Sequence, residues 1–268
     1  MQNKIGFIGC GNMASAMIRG IVKSDLISPQ YIIASNPTEG KLIEIKKETD
    51  INITTSNIEV ARFSNIIFLS VKPNKYKDVI REIKNQVKQD TIIVTIAAGI
   101  TIAKAEEYFE KGVKIIRTMP NTPALVGEGM STLCLNELIT EEEKKKIIGI
   151  FKCFGKVEVV EEQYMDVVTA LTGSSPAYVY MFIEALADGA VLKGLPRQKA
   201  YKMAAQAVYG SAKMVLETGK HPGQLKDDVC SPGGTTIEAV YSLEKNGLRS
   251  AVIEAMEECV EKARNMNK

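Results

Sequence analysis

Short apolar runs alternate with helical segments over residues 4–160, and this alternation restricts the possible folds more than any other feature of the chain. The runs, rich in Ile and Val, lie at 4–8, 31–34, 64–70, 91–97, 113–119 and 156–160. Strands that are joined through helices pair in parallel, and the resulting sheet is covered by helices on both faces. The sequence therefore predicts an α/β domain built on a parallel sheet.

The pattern changes after about Glu162, where strand-like runs give way to long Ala-rich helices. We expect one helix to begin at Ser175–Pro176, with the serine as its cap, and to stop before Gly194. A second helix is expected over 197–218, ending at Gly219. We therefore predict two domains, a sheet domain at 1–162 and an all-α domain at 163–268.

The first of these helices predicts self-association. Its segment AYVYMFIEALADGAV, at 177–191, is apolar around most of its circumference. A single surface helix in a small domain buries only one stripe, so the other faces need a further cover. We expect that cover to be a second copy of the chain, in a homodimer or an assembly of dimers.

Charge and cysteine content exclude several classes of partner. The 34 basic residues nearly balance 32 acidic ones, for a net charge of +2, and no long basic block is present, so we expect no nucleic-acid partner. The five scattered cysteines contain no C-x-x-C pair, which indicates neither a disulfide framework nor a metal site. No window is long and apolar enough to span a bilayer. We expect a cytoplasmic protein without a membrane partner.

A glycine-rich turn joins the first strand to the first helix. Gly9, Gly11 and Ala14 form the pattern G-x-G-x-x-A. The first glycine permits a tight turn, the second lets a pyrophosphate approach the backbone, and the small third residue lets the helix pack on the strand. The alternative is a tight turn without a ligand. Its position between strand and helix favours a Rossmann-type dinucleotide-binding domain.

The end of the second strand bears on which dinucleotide is bound. It reads Ala34–Ser35–Asn36–Pro37 and has no Asp or Glu to accept hydrogen bonds from the ribose hydroxyls and repel an added phosphate. Asn36 and Lys41 can accommodate the phosphate of NADP, although Lys41 can equally be a solvated helix lysine. The sequence favours NADPH, with NADH as the alternative.

Two observations limit the chemistry of the second domain. The single histidine, His221, lies in the loop GKHPGQ, where an exposed or capping role is expected. A β-hydroxyacid dehydrogenase would carry a catalytic lysine on the first long helix, and the helix from Ser175 has none before Lys193. That class is disfavoured.

Residues 229–239, VCSPGGTTIEA, interrupt the helical pattern. Ser231–Pro232–Gly233–Gly234 is a turn with little side-chain cover, and Thr235 or Thr236 can cap the helix that follows. A well-capped interhelical loop is the alternative interpretation, but it needs only one threonine. The exposed amides and hydroxyls at a positive helix end favour a small anion, most simply a carboxylate.

Several segments together resemble the pyrroline-5-carboxylate reductase family over essentially the whole chain. They are GFIGCGNMA at 6–14, SVKP at 70–73, AAG at 97–99, MPNTP at 119–123, LTGSSPAYVY at 171–180, ADGAVLKGLPR at 187–197 and HPGQLKDDVCSPGGTTIEA at 221–239. The resemblance implies a Rossmann-type sheet domain, an all-α dimerisation domain and an NAD(P)H-dependent reduction of a cyclic imine to proline. The chain lacks the arginine that some members place near Asn36.

The resemblance also implies which residues form the sites. Cofactor contacts are implied for Phe7, Ile8, Gly9, Cys10, Gly11, Asn12, Met13, Asn36, Asn57, Ser70, Val71, Lys72, Pro73, Ile96, Ala97 and Ala98. The small anionic substrate is expected against Ser231, Gly233, Gly234, Thr235 and Thr236, with Pro120 and Asn121 on the nucleotide-domain side. Thr236 is expected to be the catalytic residue, as hydrogen-bond partner of the ring nitrogen and proton relay.

Two other functions stay open at this point. A related imine or keto-acid reductase that uses NADP would share the nucleotide-binding half. A nonenzymatic NADP(H)-binding sensor would bind the cofactor without turnover.

Overall fold

The computed structural model describes residues 3–266, and the chain divides into two compact units. One unit comprises the residues up to 174 together with those from 259 onward, and the other comprises Ser175–Glu258. The predicted boundary after residue 162 stays a prediction. No helix within 3–266 has the length and apolar character needed to cross a membrane.

The first unit is built on an eight-stranded sheet in the order β3-β2-β1-β4-β5-β6-β7-β8. The strands are β1 Ile5–Ile8, β2 Ile32–Ser35, β3 Asn52–Thr54, β4 Ile66–Leu69, β5 Ile92–Thr95, β6 Lys114–Met119, β7 Gly129–Leu135 and β8 Gly155–Val159. All neighbouring pairs are parallel except β6 and β7. The expected parallel sheet is confirmed, but the sequence pattern did not indicate β3 or the antiparallel strand β7.

Helices cover both faces of this sheet. They are α1 Asn12–Lys23, α2 Glu39–Thr49, α3 Asn57–Phe63, α4 Tyr76–Ile83, α5 Ile102–Phe109, α6 Glu141–Phe151 and α7 Met165–Val168, followed by a π-helical segment at Thr169–Ser174. One apolar core lies under α1, α2 and α6, and the other lies under α3, α4 and α5. Because side chains alternate along each strand, Phe68 belongs to the first core and Leu69 to the second. The Rossmann-type architecture is therefore confirmed.

The second unit is helical. The helices are α8 Ser175–Leu192, α9 Arg197–Thr218, α10 Pro222–Val229, α11 Thr235–Lys245 and α12 Leu248–Met266, the last of which leaves the unit after residue 258. The expected helices at 175 and 197–218 are both present, and Gly219 ends α9 with a φ of +64°. The expected serine cap at Ser175 is wrong, because the π-helical segment runs directly into α8.

Large apolar side chains of α8 and α9 lie exposed on this unit. Ala187 is the only residue of α8 in the buried class, whereas Tyr180, Met181 and Leu192 expose more than half of their surface. On α9, Met203 and Leu216 are similarly exposed. Many large exposed apolar side chains on two neighbouring helices indicate a site of protein association.

Candidate functional site

Six parallel strands, β1 to β6, end at one edge of the sheet, and the predicted cofactor residues of the first unit lie in or next to the segments that follow them. Gly9–Gly11 form the turn after β1, Asn12 and Met13 open α1, and Asn36 follows β2. Residues 70–73 follow β4, and residues 96–98 follow β5. The carboxyl edge of an open parallel sheet is where such folds bind ligands. The structure thus brings these residues to one edge, with Asn57 at the start of α3.

Gly9 is a glycine because the fold requires one. Its φ is +94°, and a Cβ on it would lie 2.7 Å from the carbonyl oxygen of Ser70. Main-chain hydrogen bonds join the start of the turn to the strands on either side of β1. Gly9 N–H donates to Ser35 O of β2 at 2.9 Å, and Ser70 N–H, directly after β4, donates to Ile8 O at 2.8 Å. The turn is therefore fixed against both neighbouring strands.

Gly11 shows the opposite behaviour. It is the N-cap of α1, with φ −82° and ψ −175°, a conformation that any residue adopts. A Cβ built on it meets no atom within 4 Å. The first turn of α1 carries no acidic residue, so its amides and dipole favour an anion. Because the fold does not require a glycine here, the open space is suited to a ligand that approaches the backbone.

Asn36 and Lys41 both contact this turn. The Asn36 Oδ1 accepts a hydrogen bond from Cys10 N–H at 3.3 Å, and its Nδ2 donates to Thr38 O at 3.1 Å. The Lys41 Nζ donates to the Oδ1 of Asn12 at 3.1 Å. Lys41 is exposed, as a solvated lysine would be, but it reaches back from α2 to the first residue of α1. It therefore adds a positive charge beside the glycine turn.

The buried Tyr76 links the two cofactor loops that follow β4 and β5. Its hydroxyl donates to Leu69 O at 2.6 Å and accepts from Ile96 N–H at 3.3 Å. Burial raises the pKa of this phenol, so it stays protonated and keeps both hydrogen bonds. Nearby, the hydroxyl oxygen of Ser70 is shielded from solvent without a hydrogen-bond partner among the described residues. An orphaned hydroxyl in this loop is consistent with a ligand that completes the site.

Three other predicted cofactor residues have structural partners. Phe7 and Ile8 are fully buried in opposite cores, so only their main chain can face the sheet edge. Asn57 accepts from Ser35 Oγ at 2.8 Å and donates to Glu82 at 2.8 Å, which joins β2, α3 and α4.

Pro120 and Asn121 directly follow β6 and are buried. The Asn121 Nδ2 donates to Thr172 O at 3.0 Å, and its Oδ1 accepts from Met130 N–H at 2.8 Å. Both ends of the amide are therefore engaged within the first unit. Asn121 fixes the end of β6 to the start of β7 and to the π-helical segment.

Sequence reasoning missed a buried ion pair on β6. Arg117 is 4% exposed, and its guanidinium lies 3.0 Å from the Oε1 of Glu162 and 3.4 Å from the Oδ1 of Asp166. A charged residue inside the apolar run VKIIRTM was the available signal, because a buried charge needs a partner.

In the second unit, residues 231–236 form a tight turn at the start of α11. Gly234 N–H donates to Ser231 O at 3.0 Å, and Gly233 has a φ of +65°. A proline at the second position with a positive φ at the third is the pattern of a type II turn. The expected threonine cap is wrong: Gly234 is the N-cap, no side chain caps the helix, and Thr235 and Thr236 are its first two residues.

The start of α11 has the features of a small anion site. The first amides of a helix have no partner within the helix, and here they follow an exposed, glycine-rich turn. The Thr235 and Thr236 hydroxyls lie beside them, free of a capping role. Glu238, at the end of this first turn, is the one acidic side chain there. Glu238 is exposed to solvent, and the first amides of a helix are suited to a carboxylate.

His221 has a local role. Its Nδ1 accepts a hydrogen bond from Gly223 N–H at 3.0 Å and caps α10, which confirms the capping interpretation. No cluster of three or more His, Cys, Asp or Glu side chains suited to a metal ion occurs in the described part of the chain.

The doubly covered sheet, the glycine turn and the open space over Gly11 define a Rossmann-type dinucleotide-binding protein. Residues 4–99 match the family model described as NADP oxidoreductase, coenzyme F420-dependent. Residues 162–266 match the model described as pyrroline-5-carboxylate reductase dimerisation.

Full-length relatives and structures give the finer assignment. The chain is 51% identical to the pyrroline-5-carboxylate reductase of Escherichia coli K12 over all of both chains. A solved pyrroline-5-carboxylate reductase from Coxiella burnetii has a TM-score of 0.93 at 33% identity, over all of both chains. The Plasmodium falciparum enzyme, solved with NADP bound, has a TM-score of 0.90 at 38% identity over 99% and 98% of the chains. The chain belongs to the pyrroline-5-carboxylate reductase family.

Proposed function

We infer that the chain is an NAD(P)H-dependent oxidoreductase that reduces the C=N bond of 1-pyrroline-5-carboxylate to give L-proline, the last step of proline biosynthesis. The observation that carries this inference is the 51% identity to a reductase of that name over the full length of both chains. The cofactor is NADPH. An NADP oxidoreductase model covers the glycine turn, and a related structure at 38% identity contains NADP.

The residues of the sheet edge fit a dinucleotide. The amides at the start of α1 and the open space over Gly11 would hold the pyrophosphate. Lys41, beside Asn12, would face the added phosphate of NADPH, and Ser70 would gain a partner for its orphaned hydroxyl. When bound, NADPH supplies the hydride for the reduction. We propose that the remaining residues implied by the resemblance contact it mainly through the loops after β4 and β5.

The turn at 231–236 is proposed to bind the substrate. Main-chain amides at the start of α11 hold its carboxylate, and Ser231 and Thr235 add hydroxyl donors. The ring nitrogen must carry a proton for the C=N carbon to be electrophilic. Thr236 is the proposed hydrogen-bond partner of that nitrogen and the relay for its proton. Pro120 and Asn121 are proposed to contribute from the end of β6.

No covalent step on the protein is required by this reaction. The protein binds and orients the reactants and excludes water. Orientation of this kind can lower a reaction barrier by about 7–11 kcal/mol. Removal of one donor to the ring nitrogen should therefore lower turnover without abolishing binding.

The helical unit is proposed to form a homodimer, or an assembly of dimers, through α8 and its neighbours. Self-association is supported by the match of residues 162–266 to a dimerisation model and by the exposed apolar side chains of α8 and α9. We also propose a cytoplasmic location, which is supported by five cysteines that are all free thiols.

The test follows NADPH absorbance with 1-pyrroline-5-carboxylate, repeated with NADH and with a panel of other cyclic imines and keto acids. We expect turnover with pyrroline-5-carboxylate and a higher rate with NADPH than with NADH. A greater kcat/KM for another imine or keto acid would assign a different reductase. Cofactor binding with no turnover on any compound would indicate an NADP(H)-binding sensor.

A further inference from the structure

Arg117 is fully enclosed in the sheet yet lies outside every predicted site. Its side chain is 4% exposed on β6 and lies on the same face of the sheet as Ile115 and Met119 of the second core. The two carboxylates that pair with it, Glu162 and Asp166, are themselves only partly exposed. Removing one partner of a buried pair leaves the other charge uncompensated, so this arrangement holds the paired segments together.

Both carboxylates lie on the segment that leads into the π-helical turns. Glu162 opens a short 3₁₀ turn, and Asp166 lies one helical turn later in α7. The Oε1 of Glu162 also accepts a hydrogen bond from Ile102 N–H at 2.8 Å, which joins it to the start of α5. Arg117 therefore fixes the first part of one continuous helical run, residues 165–192, to the middle of β6.

The same helical run contacts β6 a second time, at the carboxyl end of the strand. Thr172 O accepts from the Asn121 amide at 3.0 Å, and a Cβ on Gly173 would lie 3.2 Å from the sulfur of Met119. The contact at Arg117, in β6, and the contact at Asn121, two residues beyond its end, are thus four residues apart in the chain. A six-residue π-helical stretch is uncommon, and such stretches occur frequently at functional sites.

We propose that Arg117 is a positioning residue for the reaction. Its ion pairs set the register of the helical run on β6, and Thr172 in that run sets the orientation of the Asn121 amide. This proposal rests on the proposed function, in which Pro120 and Asn121 face the substrate. Arg117 touches neither substrate nor cofactor and acts through Thr172 and Asn121.

Kinetics of three variants test the proposal. Arg117→Met removes both ion pairs, Arg117→Lys keeps the charge, and Lys114→Met is the matched control. Lys114 is the first residue of β6, at the end of the strand away from Asn121, and it forms an ion pair 2.7 Å from Glu143. We expect Arg117→Met to lower kcat/KM for pyrroline-5-carboxylate by about tenfold to a hundredfold. The dissociation constant of NADPH should stay unchanged, Arg117→Lys should recover part of the loss, and Lys114→Met should retain wild-type kinetics.

A double-mutant cycle separates positioning from a general loss of stability. Because Arg117 is inferred to act through Asn121, Arg117→Met should have little further effect on kcat/KM in an Asn121→Ala background. Independent, multiplicative losses would overturn the proposal. If Arg117→Met does not fold, Glu162→Gln takes its place, since it removes one of the paired charges and keeps the shape of the side chain.

Hydrogen exchange supplies a readout that does not depend on activity. The Met130 amide donates to Asn121 Oδ1, so displacement of Asn121 should speed its exchange. We expect faster exchange at Met130 and at residues 169–174 in Arg117→Met, and unchanged exchange there in Lys114→Met. Unchanged Met130 exchange in Arg117→Met would overturn the proposal. If the wild-type chain does not reduce the imine, the proposed function fails, and the exchange comparison alone decides whether Arg117 positions Asn121.

Discussion

The ammonium group of Lys41 lies 3.1 Å from the Oδ1 of Asn12, which joins the first turn of α2 to the first residue of α1. This contact places a positive charge beside the turn that is proposed to bind the dinucleotide phosphates. No acidic residue occupies the end of β2, where one would oppose an added phosphate.

Lys41 should therefore contribute to the choice of cofactor. We expect Lys41→Met to weaken NADPH binding by about tenfold, which is about 1.4 kcal/mol, and to leave NADH binding nearly unchanged. Titration calorimetry with each cofactor measures both. Lys46→Met, an exposed lysine in the last turn of the same helix, is the control. An equal loss for NADH and NADPH would show that Lys41 does not read the added phosphate.

Substitutions of the two glycines in the turn should have different effects. Gly11→Val should abolish dinucleotide binding and leave the melting temperature near that of the wild type, because the side chain enters open space. Gly9→Ala should instead destabilise the first unit by about 1–3 kcal/mol, since its φ is +94° and its Cβ would meet Ser70 O. Thermal unfolding and calorimetry on both variants test this contrast. Normal NADPH binding in Gly11→Val would contradict it.

Substitutions at residues 231 and 236 should affect substrate binding and turnover differently. We expect Thr236→Ala to lower kcat by about a hundredfold, as the loss of a positioned proton donor does. Ser231→Ala should raise KM for the imine with a smaller change in kcat, and the turn should survive because it is closed by the Ser231 carbonyl. Ser242→Ala, farther along α11, is the control. Wild-type kinetics in both loop variants would remove the site.

Self-association should depend on the apolar surface of α8. The wild-type chain is expected to sediment as a dimer or a larger assembly of dimers, because Tyr180 and Met181 are 59% and 69% exposed on the single chain. Met181→Glu should shift the distribution toward monomer by placing a charge in the proposed interface. Lys193→Glu, at the exposed end of the same helix run, serves as the control. A wild-type chain that stays monomeric at micromolar concentration would refute the proposed dimer.

Glu143 should make stability depend on pH in the acid range. Burial raises the pKa of this carboxylate, but hydrogen bonds from Lys114 and Thr140 outweigh burial and hold the pKa below its usual range. A lowered pKa in the folded state means that the stabilisation is present above the pKa of the unfolded chain, about 4.3, and is lost as pH falls through the folded value.

The free energy of unfolding at neutral pH should therefore be about 1 kcal/mol lower in Glu143→Gln than in the wild type. This difference should shrink below about pH 4. Denaturant titrations at several pH values measure it, with Glu141→Gln, an exposed residue of the same first turn, as the control. A difference that is constant over this pH range would contradict the assignment.

The parts of the fold that were predictable are those with a local signal. Strands such as IIFL and IIVT are continuous apolar runs, and the glycine turn is a local pattern. The strand β7, with the sequence GMSTLCL, mixes polar and apolar residues and was not indicated, and β3 is only three residues long. The π-helical segment contacts Met119 and Asn121 at the end of β6, and no local sequence pattern indicated it.

In the candidate site, too, the features with a local sequence signal were predictable and those that depend on long-range contacts were not. Gly9 and Gly11 are adjacent in a motif and were found from sequence, but their different roles appear only from the space around each one. The pairing of Arg117 with Glu162 joins residues 45 positions apart, and no pattern in a single sequence specifies such a partner. A pairing of this kind can be identified only once the folded sheet is known.

The glycine at the N-cap of α11 has an evolutionary consequence. Where a threonine caps a helix, replacing it for the sake of a different ligand also weakens the helix. Here Gly234 is the N-cap, and neither Thr235 nor Thr236 caps the helix. In the proposed substrate site, substitutions at positions 235 and 236 would therefore change which small acids are accepted and leave folding largely intact, so substrate range in this scaffold would diverge faster than its architecture.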